Sequence, residues 1–232
     1  MSRIPTEKLI QRQIHQWSRY RELLESATEP GEIKPRPIIT ISRELGAGGR
    51  KLAVALAQRL DLQVHGVSLI DQIARDTNLE RQIIEHLDEQ ARSQVDLWVR
   101  GVLQQRIFLR DNYHVSLVKA IRTLAAMGGV VILGRGANII LEDTASLRVL
   151  LIASVENRIK NVMMYEGVNE AEARKLIQES DESRRDFIKK LFHVDPDDTH
   201  LYDTVINTDN LPMRRVVHIV MTALEVRGVF TR

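Results

Sequence analysis

The segment PRPIITISRELGAGGRKLAVALAQRL, residues 35–60, decides the fold. It opens with a β-branched apolar run at residues 38–41, which is typical of a short buried strand. The glycine-rich stretch SRELGAGGR follows, and then Leu52, Leu56 and Leu60 recur every fourth residue, which predicts a helix with one apolar face. A strand, a glycine-rich turn and a helix direct backbone N–H groups and a positive helix end toward one point. The segment therefore predicts a phosphate-binding loop.

The loop departs from the usual pattern G-x-x-x-x-G-K-[ST], in which the lysine binds the β- and γ-phosphates and the hydroxyl binds magnesium. When the strand and helix are aligned, the first glycine falls on Arg43, the lysine on Gly49, and the hydroxyl neighbourhood on Arg50 and Lys51. The backbone cradle is retained, while the charged parts are moved or replaced. The alternative is an ordinary βα turn whose glycines only permit close packing.

The composition narrows the classes of function. The chain has 232 residues, of which 44% are hydrophobic and 28% charged, as expected for a globular domain with a small appendage. Aromatic residues make up only 4% and the net charge is +2, so nothing indicates nucleic-acid binding. The absence of cysteine excludes disulfides, thiolate metal sites and a cysteine nucleophile. The seven histidines are scattered, and we expect no metal held by the protein alone.

Neither a membrane span nor a signal peptide is indicated. No apolar run approaches the ~20 residues that a spanning helix needs. The N-terminal sequence MSRIPTEKLIQRQ lacks the apolar core of a signal peptide. We therefore expect no membrane partner and a cytoplasmic location.

We divide the chain into an N-terminal helical arm with its linker, residues 1–34, and a main domain, residues 35–232. Pro5 suits the first turn of a helix that runs to about residue 27, and prolines and a glycine interrupt the chain after it. Apolar residues mark one face of this helix: Ile10, Ile14, Trp17 and Leu24. That face packs either on its own domain or on a partner chain, which would form a homo-oligomer.

Strands and helices alternate through the main domain. Further strands are predicted at residues 62–66, 130–133, 147–153 and 204–206, with helical patterns between them. Ser154 is a predicted helix cap, and Asn169 with Glu172 resembles a capping box. This alternation predicts a mostly parallel α/β sheet covered on both faces. The strand ends carry the loops SRELG, HGVS, GRGAN and NTDN, and ligands gather at that edge of such sheets.

Five motifs together resemble the cytidylate kinase-like proteins, within the P-loop nucleoside monophosphate kinases. They are ITISRELGAGGRKLAVALAQRL (39–60), VVILGRGANIIL (130–141), LLIASVENRIKNVM (150–163), ESDESRRDF (179–187) and YDTVINTDNL (202–211). The likeness spans about residues 37–224. It implies a three-layer P-loop kinase fold with a parallel sheet and a helical lid. It also implies transfer of the γ-phosphoryl group of ATP, with Mg²⁺, to a nucleoside monophosphate, a reaction that depends on positioning and charge neutralisation.

The resemblance also implies roles for individual residues. The donor phosphates would be held by the loop and the start of its helix: Arg43, Gly46, Ala47, Gly48, Gly49, Arg50 and Lys51. Asn207 and Thr208 would lie near the adenine. Arg135 would bind the acceptor's phosphate, and Asp71 would orient the acceptor or a magnesium-bound water. The lid would supply the catalytic residues Arg158, Asp181, Arg184 and Arg185.

Each role has an alternative. Arg158 would otherwise lie on an exposed helix face, and Asp71 would be a helix cap or a solvated side chain. Asp181 has helical spacing to Arg184 and Arg185 and would form a surface ion pair with them. Arg135 follows a buried strand, where a cation without an anionic partner is costly, and this favours a bound anion.

Two departures from the family leave the function open. Cytidylate kinases have an aspartate where this chain has Gly136, and the loop lysine is missing unless Arg50 or Lys51 replaces it. CMP or dCMP is therefore indicated as the acceptor by the family alone, and another small phosphorylated acceptor is the alternative. Two other classes are a nucleotide-binding regulatory module without catalysis and an assembly protein that acts through the arm.

Overall fold

The main domain is built on one parallel sheet. The computed structural model describes residues 6–26, 36–87, 89–105 and 112–230. Within them, five parallel strands lie in the order β2-β3-β1-β4-β5. Their bounds are β1 Ile38–Arg43, β2 Gln63–His65, β3 Val130–Leu133, β4 Leu147–Ile152 and β5 Thr204–Asn207. The predicted α/β class with a parallel sheet is confirmed, and the strand from the quoted segment lies at its centre.

Helices cover both faces of this sheet. In chain order they are α1 Thr6–Ser26, α2 Gly49–Leu60, α3 Val67–Arg75, α4 Thr77–Glu85, α5 Glu89–Gln105, α6 Asn112–Ala126, α7 Ala137–Ile140, α8 Val155–Glu166, α9 Glu170–Phe192 and α10 Met213–Val226. Ile39 and Ile41 of β1 pack against α2 and α10, whereas Ile38 faces the core formed with α3 to α6. The alternation of side chains along a strand therefore gives β1 one set of contacts on each face.

The cap predictions are confirmed, and one helix was missed. Ser154 caps α8, and Asn169 and Glu172 form a reciprocal capping box at α9. The stretch predicted as the loop GRGAN contains the start of α7 instead. Gly134, Arg135 and Gly136 all have positive φ angles of 72°, 54° and 67°, and this left-handed turn leads directly into the short helix. Pro5, the predicted first turn of the arm helix, lies outside the described residues, as do residues 28–35 of the predicted linker at 28–37 and residues 106–111.

The described part of the arm packs on the main domain. Ile10 and Trp17 are buried in the core that includes α3 to α6. The Gln13 side chain donates a hydrogen bond to the Gly128 carbonyl at 3.0 Å, and the Trp17 indole donates to the His86 carbonyl at 3.1 Å. These contacts give the apolar face of α1 a partner within the same chain. No helix within the described ranges is both long enough and apolar enough to cross a membrane.

A histidine without hydrogen bonds lies at the end of β2. His65 is 1% exposed, and neither ring nitrogen has a partner among the described residues. Burial lowers the pKa of His65 to about 4, from its usual 6.5. Because the folded-state pKa lies below that of the unfolded chain, unfolding takes up a proton between these two pH values. Stability is then full above the unfolded-state pKa and falls as the pH decreases toward the folded-state pKa.

We predict that His65→Leu makes the free energy of unfolding less sensitive to pH between about 6.5 and 4. Leucine fills similar space without a group that protonates on unfolding, and two unpaired polar atoms disappear from the core. The measurement is urea unfolding at a series of pH values. His218→Gln, on the exposed face of α10, is the control and should keep the wild-type slope. The same slope in the His65 variant would contradict this assignment.

Candidate active site

The glycine-rich loop between β1 and α2 presents backbone donors. Gly46 and Gly48 have φ angles of 88° and 93°, a conformation that glycine adopts without strain. Gly48 caps α2 without a side-chain hydrogen bond, and the first bond of the helix runs from the Leu52 N–H to the Gly48 carbonyl. Among the described residues, no acceptor contacts the N–H groups of Gly48, Gly49 and Arg50. Free donors at a helix N-terminus form a site for an anion.

The carbonyl groups of the same loop are bound by other parts of the chain. Arg158 donates from Nε to the Leu45 carbonyl at 2.7 Å, and Asn161 donates to the Gly46 carbonyl at 2.8 Å. The Thr208 hydroxyl donates to the Ala47 carbonyl at 3.2 Å. The loop lies so close to α8 that a Cβ atom on Gly46 would come within 2.7 Å of the Arg158 carbonyl oxygen. The protein thus fixes the loop through its acceptors and leaves its donors for a ligand.

Arg158 also connects the loop to α9. Its side chain is only 4% exposed, and Nη2 donates to Asp181 at 2.6 Å. Nη1 lies 3.5 Å from Glu44, whose other carboxylate oxygen accepts a hydrogen bond from the Ala153 N–H. The alternative of an exposed helix face for Arg158 is therefore wrong. The structure instead joins Arg158 and Asp181, two of the four predicted lid residues, in one ion pair whose guanidinium is buried and whose carboxylate is partly exposed.

The other two predicted lid residues share a different carboxylate. Arg184 and Arg185 lie 3.2 Å and 2.6 Å from the two oxygens of Asp197, in the loop after α9. Burial alone would raise the pKa of Asp197, but the hydrogen bond from Arg185 and the charges of both arginines lower it. The alternative of a helical ion pair between Asp181 and these arginines is not what the structure shows. Asp181 pairs with Arg158, and Asp197 in the loop after α9 pairs with Arg184 and Arg185.

Arg135 and Asp71, the two predicted acceptor-binding residues, contact each other. Arg135 forms a two-pronged ion pair with Asp71, with an Nε–Oδ1 distance of 2.7 Å, and its guanidinium lies 4.9 Å from the ring centre of Phe187. Tyr113 donates to the same Asp71 oxygen at 2.8 Å, and burial together with this bond raises the pKa of Tyr113 to about 12. The premise that Arg135 has no anionic partner in the protein was wrong, because α3 supplies one from 64 residues away.

A cavity of about 310 Å³ opens between the loop, the end of β3 and α9. Arg43, Arg135 and Arg184 all line it, and its described lining contains no carboxylate. Polar side chains surround the arginines: Ser42, Asn138, Ser180, Ser183 and Tyr202. Arg43 has neither an ion-pair partner nor a hydrogen-bond acceptor among the described residues. Burial, and next the like charges of Arg184 and Arg135, lower the pKa of the Arg43 guanidinium.

The remaining predicted residues lie outside this cavity. Lys51 Nζ lies 4.4 Å from the ring centre of Tyr165, on the outer side of α2, and Arg50 is exposed. Asn207 accepts a hydrogen bond from the Asp209 N–H at 2.9 Å, and Asp209 in turn binds the start of α8 through Ser154 and Asn157. The hydrogen bond from the Thr208 hydroxyl to the Ala47 carbonyl places Asn207 and Thr208 beside the phosphate loop.

Several lining residues were missed at the level of the sequence. Ser180, Ser183 and Phe187 line the cavity from α9 beside the predicted Arg184. Their spacing of three, four and seven residues is that of a single helix face, so the helical period could have grouped them. Tyr202 and Tyr113 reach the site from distant segments, and no local pattern marks them.

The parallel sheet with the glycine-rich loop before α2 is a P-loop kinase fold, and the free donors at the start of α2 with the cationic cavity form a candidate anion-binding site. The model of the "Cytidylate kinase-like family" matches residues 38–210. The chain belongs to this family, as its motifs predicted.

The chain is similar to several cytidylate kinases and to an uncharacterised protein of solved structure over most of its length. Cytidylate kinase from Methanopyrus kandleri is 25% identical over 198 residues, which cover 81% of this chain and 93% of that protein. Cytidylate kinase from Methanothrix thermoacetophila is 28% identical over 190 residues, covering 81% and 97%. An uncharacterised protein from Eubacterium ventriosum has the same fold, with a TM-score of 0.63 at 21% identity, covering 82% of this chain and 99% of that one. The family and these relatives support the prediction of a nucleotide kinase.

We predict that Arg158→Ala lowers the free energy of unfolding by about 2–4 kcal/mol, because it removes a buried guanidinium and its hydrogen bonds to the Leu45 carbonyl and to the partly exposed Asp181 carboxylate. Arg174→Ala is the matched control. Arg174 pairs with Glu170 on the exposed face of α9, with 56% of its side chain accessible, and its loss should cost less than about 0.5 kcal/mol. Chemical denaturation measures both. Equal effects of the two substitutions would show that the Arg158 pair does not fix the loop.

Proposed function

We propose that the protein transfers the γ-phosphoryl group of ATP to a nucleoside monophosphate, with CMP and dCMP as the first candidates. The observation that carries the proposal is the juxtaposition of two anion sites. One is the set of free N–H groups at the start of α2, and the other is the cavity lined by Arg43, Arg135 and Arg184 without a carboxylate. Phosphoryl transfer needs two phosphate groups held side by side with their charge neutralised.

The donor phosphates would bind at the loop. Gly48, Gly49 and Arg50 offer N–H groups that no protein acceptor uses in the described structure. The positive end of the α2 dipole adds to their attraction for phosphate oxygens. Arg50 and Lys51 are exposed beside this helix end and would contribute charge from its outer side.

The acceptor's phosphate would bind at Arg135 and Arg184. A guanidinium has five N–H donors, and Asp71 takes two of those on Arg135. The donors that remain are available for an anion in the cavity that Arg135 lines. Asp71 therefore fixes the direction of Arg135. Asp197 does the same for Arg184 through a longer contact of 3.2 Å. Arg158 and Asp181 act as positioning residues, because they hold the loop against α9.

Magnesium would be held mainly by the nucleotide. Within the described residues, no group of three or more carboxylate or histidine side chains has the arrangement of a metal site. Mg²⁺ in phosphoryl-transfer enzymes keeps several waters and binds substrate phosphates with only one or two protein ligands. The described site suits an ion that is held mainly by nucleotide phosphates and water, and that ion would neutralise charge on the phosphates. Asp71, already bound by Arg135 and Tyr113, orients the acceptor side.

The choice of CMP and dCMP rests on the relatives, which are cytidylate kinases. The family resemblance implies an aspartate at the lining position that Gly136 occupies in this chain, and a Cβ atom at Gly136 would overlap the Phe192 ring. The described lining of the cavity therefore offers no carboxylate to the acceptor's sugar and base. A small phosphorylated compound other than a pyrimidine nucleotide is the second candidate, and the missing carboxylate favours it.

The test is ADP release from Mg-ATP in the presence of CMP, dCMP, UMP, AMP or GMP in turn. We expect one pyrimidine nucleotide to raise the rate of ADP release well above the rate with ATP alone. Arg135→Ala should lower that acceptor-dependent rate by about 10²–10³-fold, because it removes a donor to the reacting charge. Arg174→Ala, the same change on the exposed face of α9, should keep the wild-type rate.

Two results would contradict the proposal. If ATP binds but no nucleotide raises ADP release, the acceptor is not one of these nucleoside monophosphates, and the other small phosphorylated acceptor or the regulatory module that the altered loop suggests takes the place of this proposal. If the rate rises with an acceptor but Arg135→Ala leaves it unchanged, the acceptor binds elsewhere than in the arginine-lined cavity.

A further inference from the structure

We infer that Arg43 supplies the phosphate-binding cation that this loop lacks at Gly49. The usual P-loop pattern has glycine at the position of Arg43 and lysine at the position of Gly49, so glycine and cation have exchanged positions in this chain. The inference rests on the proposed function and deepens it, because it assigns the group that contacts the transferred phosphoryl. Neither Arg50 nor Lys51 is then the replacement for the missing lysine.

The stem of Arg43 occupies the space into which a side chain at position 49 would extend. A Cβ atom built on Gly49 would lie 2.7 Å from Cγ, 3.0 Å from Cβ and 3.2 Å from Cδ of Arg43. The Gly49 backbone is helical and has no positive φ angle, so its conformation does not demand glycine. Glycine is required at position 49 because the Arg43 side chain leaves no room for a Cβ atom. A lysine at position 49 and an arginine at position 43 therefore exclude each other, whereas one cation in this space is accommodated.

The guanidinium of Arg43 lies between the donor loop and the acceptor cavity. Beyond Gly49 the side chain continues toward the end of β3, where a Cβ atom on Gly134 would lie 2.6 Å from Arg43 Nη1. Gly134 begins the left-handed turn that carries Arg135, and Arg43 lines the same cavity as Arg135 and Arg184. The cation thus starts in the phosphate loop and ends where an acceptor phosphate would meet the γ-phosphate.

Arg43 differs from its two neighbours in having no carboxylate. Asp71 neutralises Arg135 and Asp197 neutralises Arg184, but no described side chain pairs with Arg43. A half-buried cation beside two like charges is unfavourable unless an anion joins them. A guanidinium also offers two parallel N–H groups to two phosphate oxygens, which a lysine ammonium does not.

The other two cations of the loop do not reach this point. Lys51 Nζ lies over the Tyr165 ring at 4.4 Å, and neither Lys51 nor Arg50 lines the cavity. Their side chains leave α2 toward solvent. Within the described structure, Arg43 is the loop cation that faces both anion sites.

The experiment compares six proteins: the wild type, Arg43→Ala, Arg43→Gly, Gly49→Lys, the exchange variant Arg43→Gly/Gly49→Lys and the control Arg174→Ala. Calorimetric titration with Mg-ATP and with Mg-ADP, without acceptor, gives the affinities, and thermal unfolding shows that each variant is folded. Arg43→Ala should weaken ATP binding by about 10-fold or more, the size of a lost charge-assisted hydrogen bond. The loss for ADP should be smaller, because ADP lacks the γ-phosphate.

The exchange variant decides the inference. Gly49→Lys alone should also bind ATP weakly, because its side chain collides with the Arg43 stem. When Arg43 becomes glycine at the same time, the lysine gains its room, and affinity should recover at least about 10-fold over either single variant, a strongly non-additive result. Arg174→Ala is the control for an arginine removed elsewhere and should bind as the wild type does.

Failure of this inference is distinguishable from failure of the kinase proposal. If Arg43→Ala binds ATP as tightly as the wild type, or if the two single losses simply add in the exchange variant, Arg43 is not the replacement cation, whatever the acceptor assay shows. If the exchange restores ATP binding while no acceptor is phosphorylated, the assignment of Arg43 stands and the kinase proposal falls.

Discussion

The structure depends on one buried guanidinium, that of Arg158. It binds the Leu45 carbonyl of the phosphate loop, the Asp181 carboxylate of α9 and, at longer range, Glu44 after β1. A buried cation is stable only when its donors are satisfied, so these partners are held in one arrangement. The loop approaches so closely that Gly46 has no room for a side chain against α8. Loop and α9 are consequently positioned by the same group, and a shift of either is transmitted to the other.

The second constraint is the sign of the charge around the cavity. Three arginines from β1, from the turn after β3 and from α9 meet there, and carboxylates outside the cavity neutralise two of them. Asp71 and Asp197 therefore direct the guanidinium groups and leave the cavity itself positive. Like charges of this kind raise the local concentration of anions and favour phosphate groups on both sides of the transfer. The same arrangement explains why few residues need covalent roles in the proposed reaction.

The sequence predicted the features that local patterns determine. Alternating strands and helices predicted the parallel sheet, the glycine-rich segment predicted the loop before α2, and the motifs predicted the family. Contacts between distant segments were not predictable in this way. The Arg135–Asp71 pair spans 64 residues. In the sequence, Arg158 cannot be distinguished from an arginine on an exposed helix face, because its burial depends on contact with α9. The steric conflict between Arg43 and any side chain at position 49 is also tertiary in origin. Only the path of the Arg43 side chain shows which cation can take the place of the lysine.

The most direct test of the central claim, that the loop donors and three arginines together form the transfer centre, is a crystal structure with ADP, CMP, Mg²⁺ and aluminium fluoride as a mimic of the transferred group. We expect the β-phosphate on the N–H groups of Gly48 and Gly49 and the fluoride group within about 3.2 Å of the Arg43 guanidinium, the range of a charge-assisted hydrogen bond. Arg135 and Arg184 should contact the CMP phosphate. Nucleotides bound with Arg43 pointing away from the fluoride group, or CMP bound outside the cavity, would contradict the account.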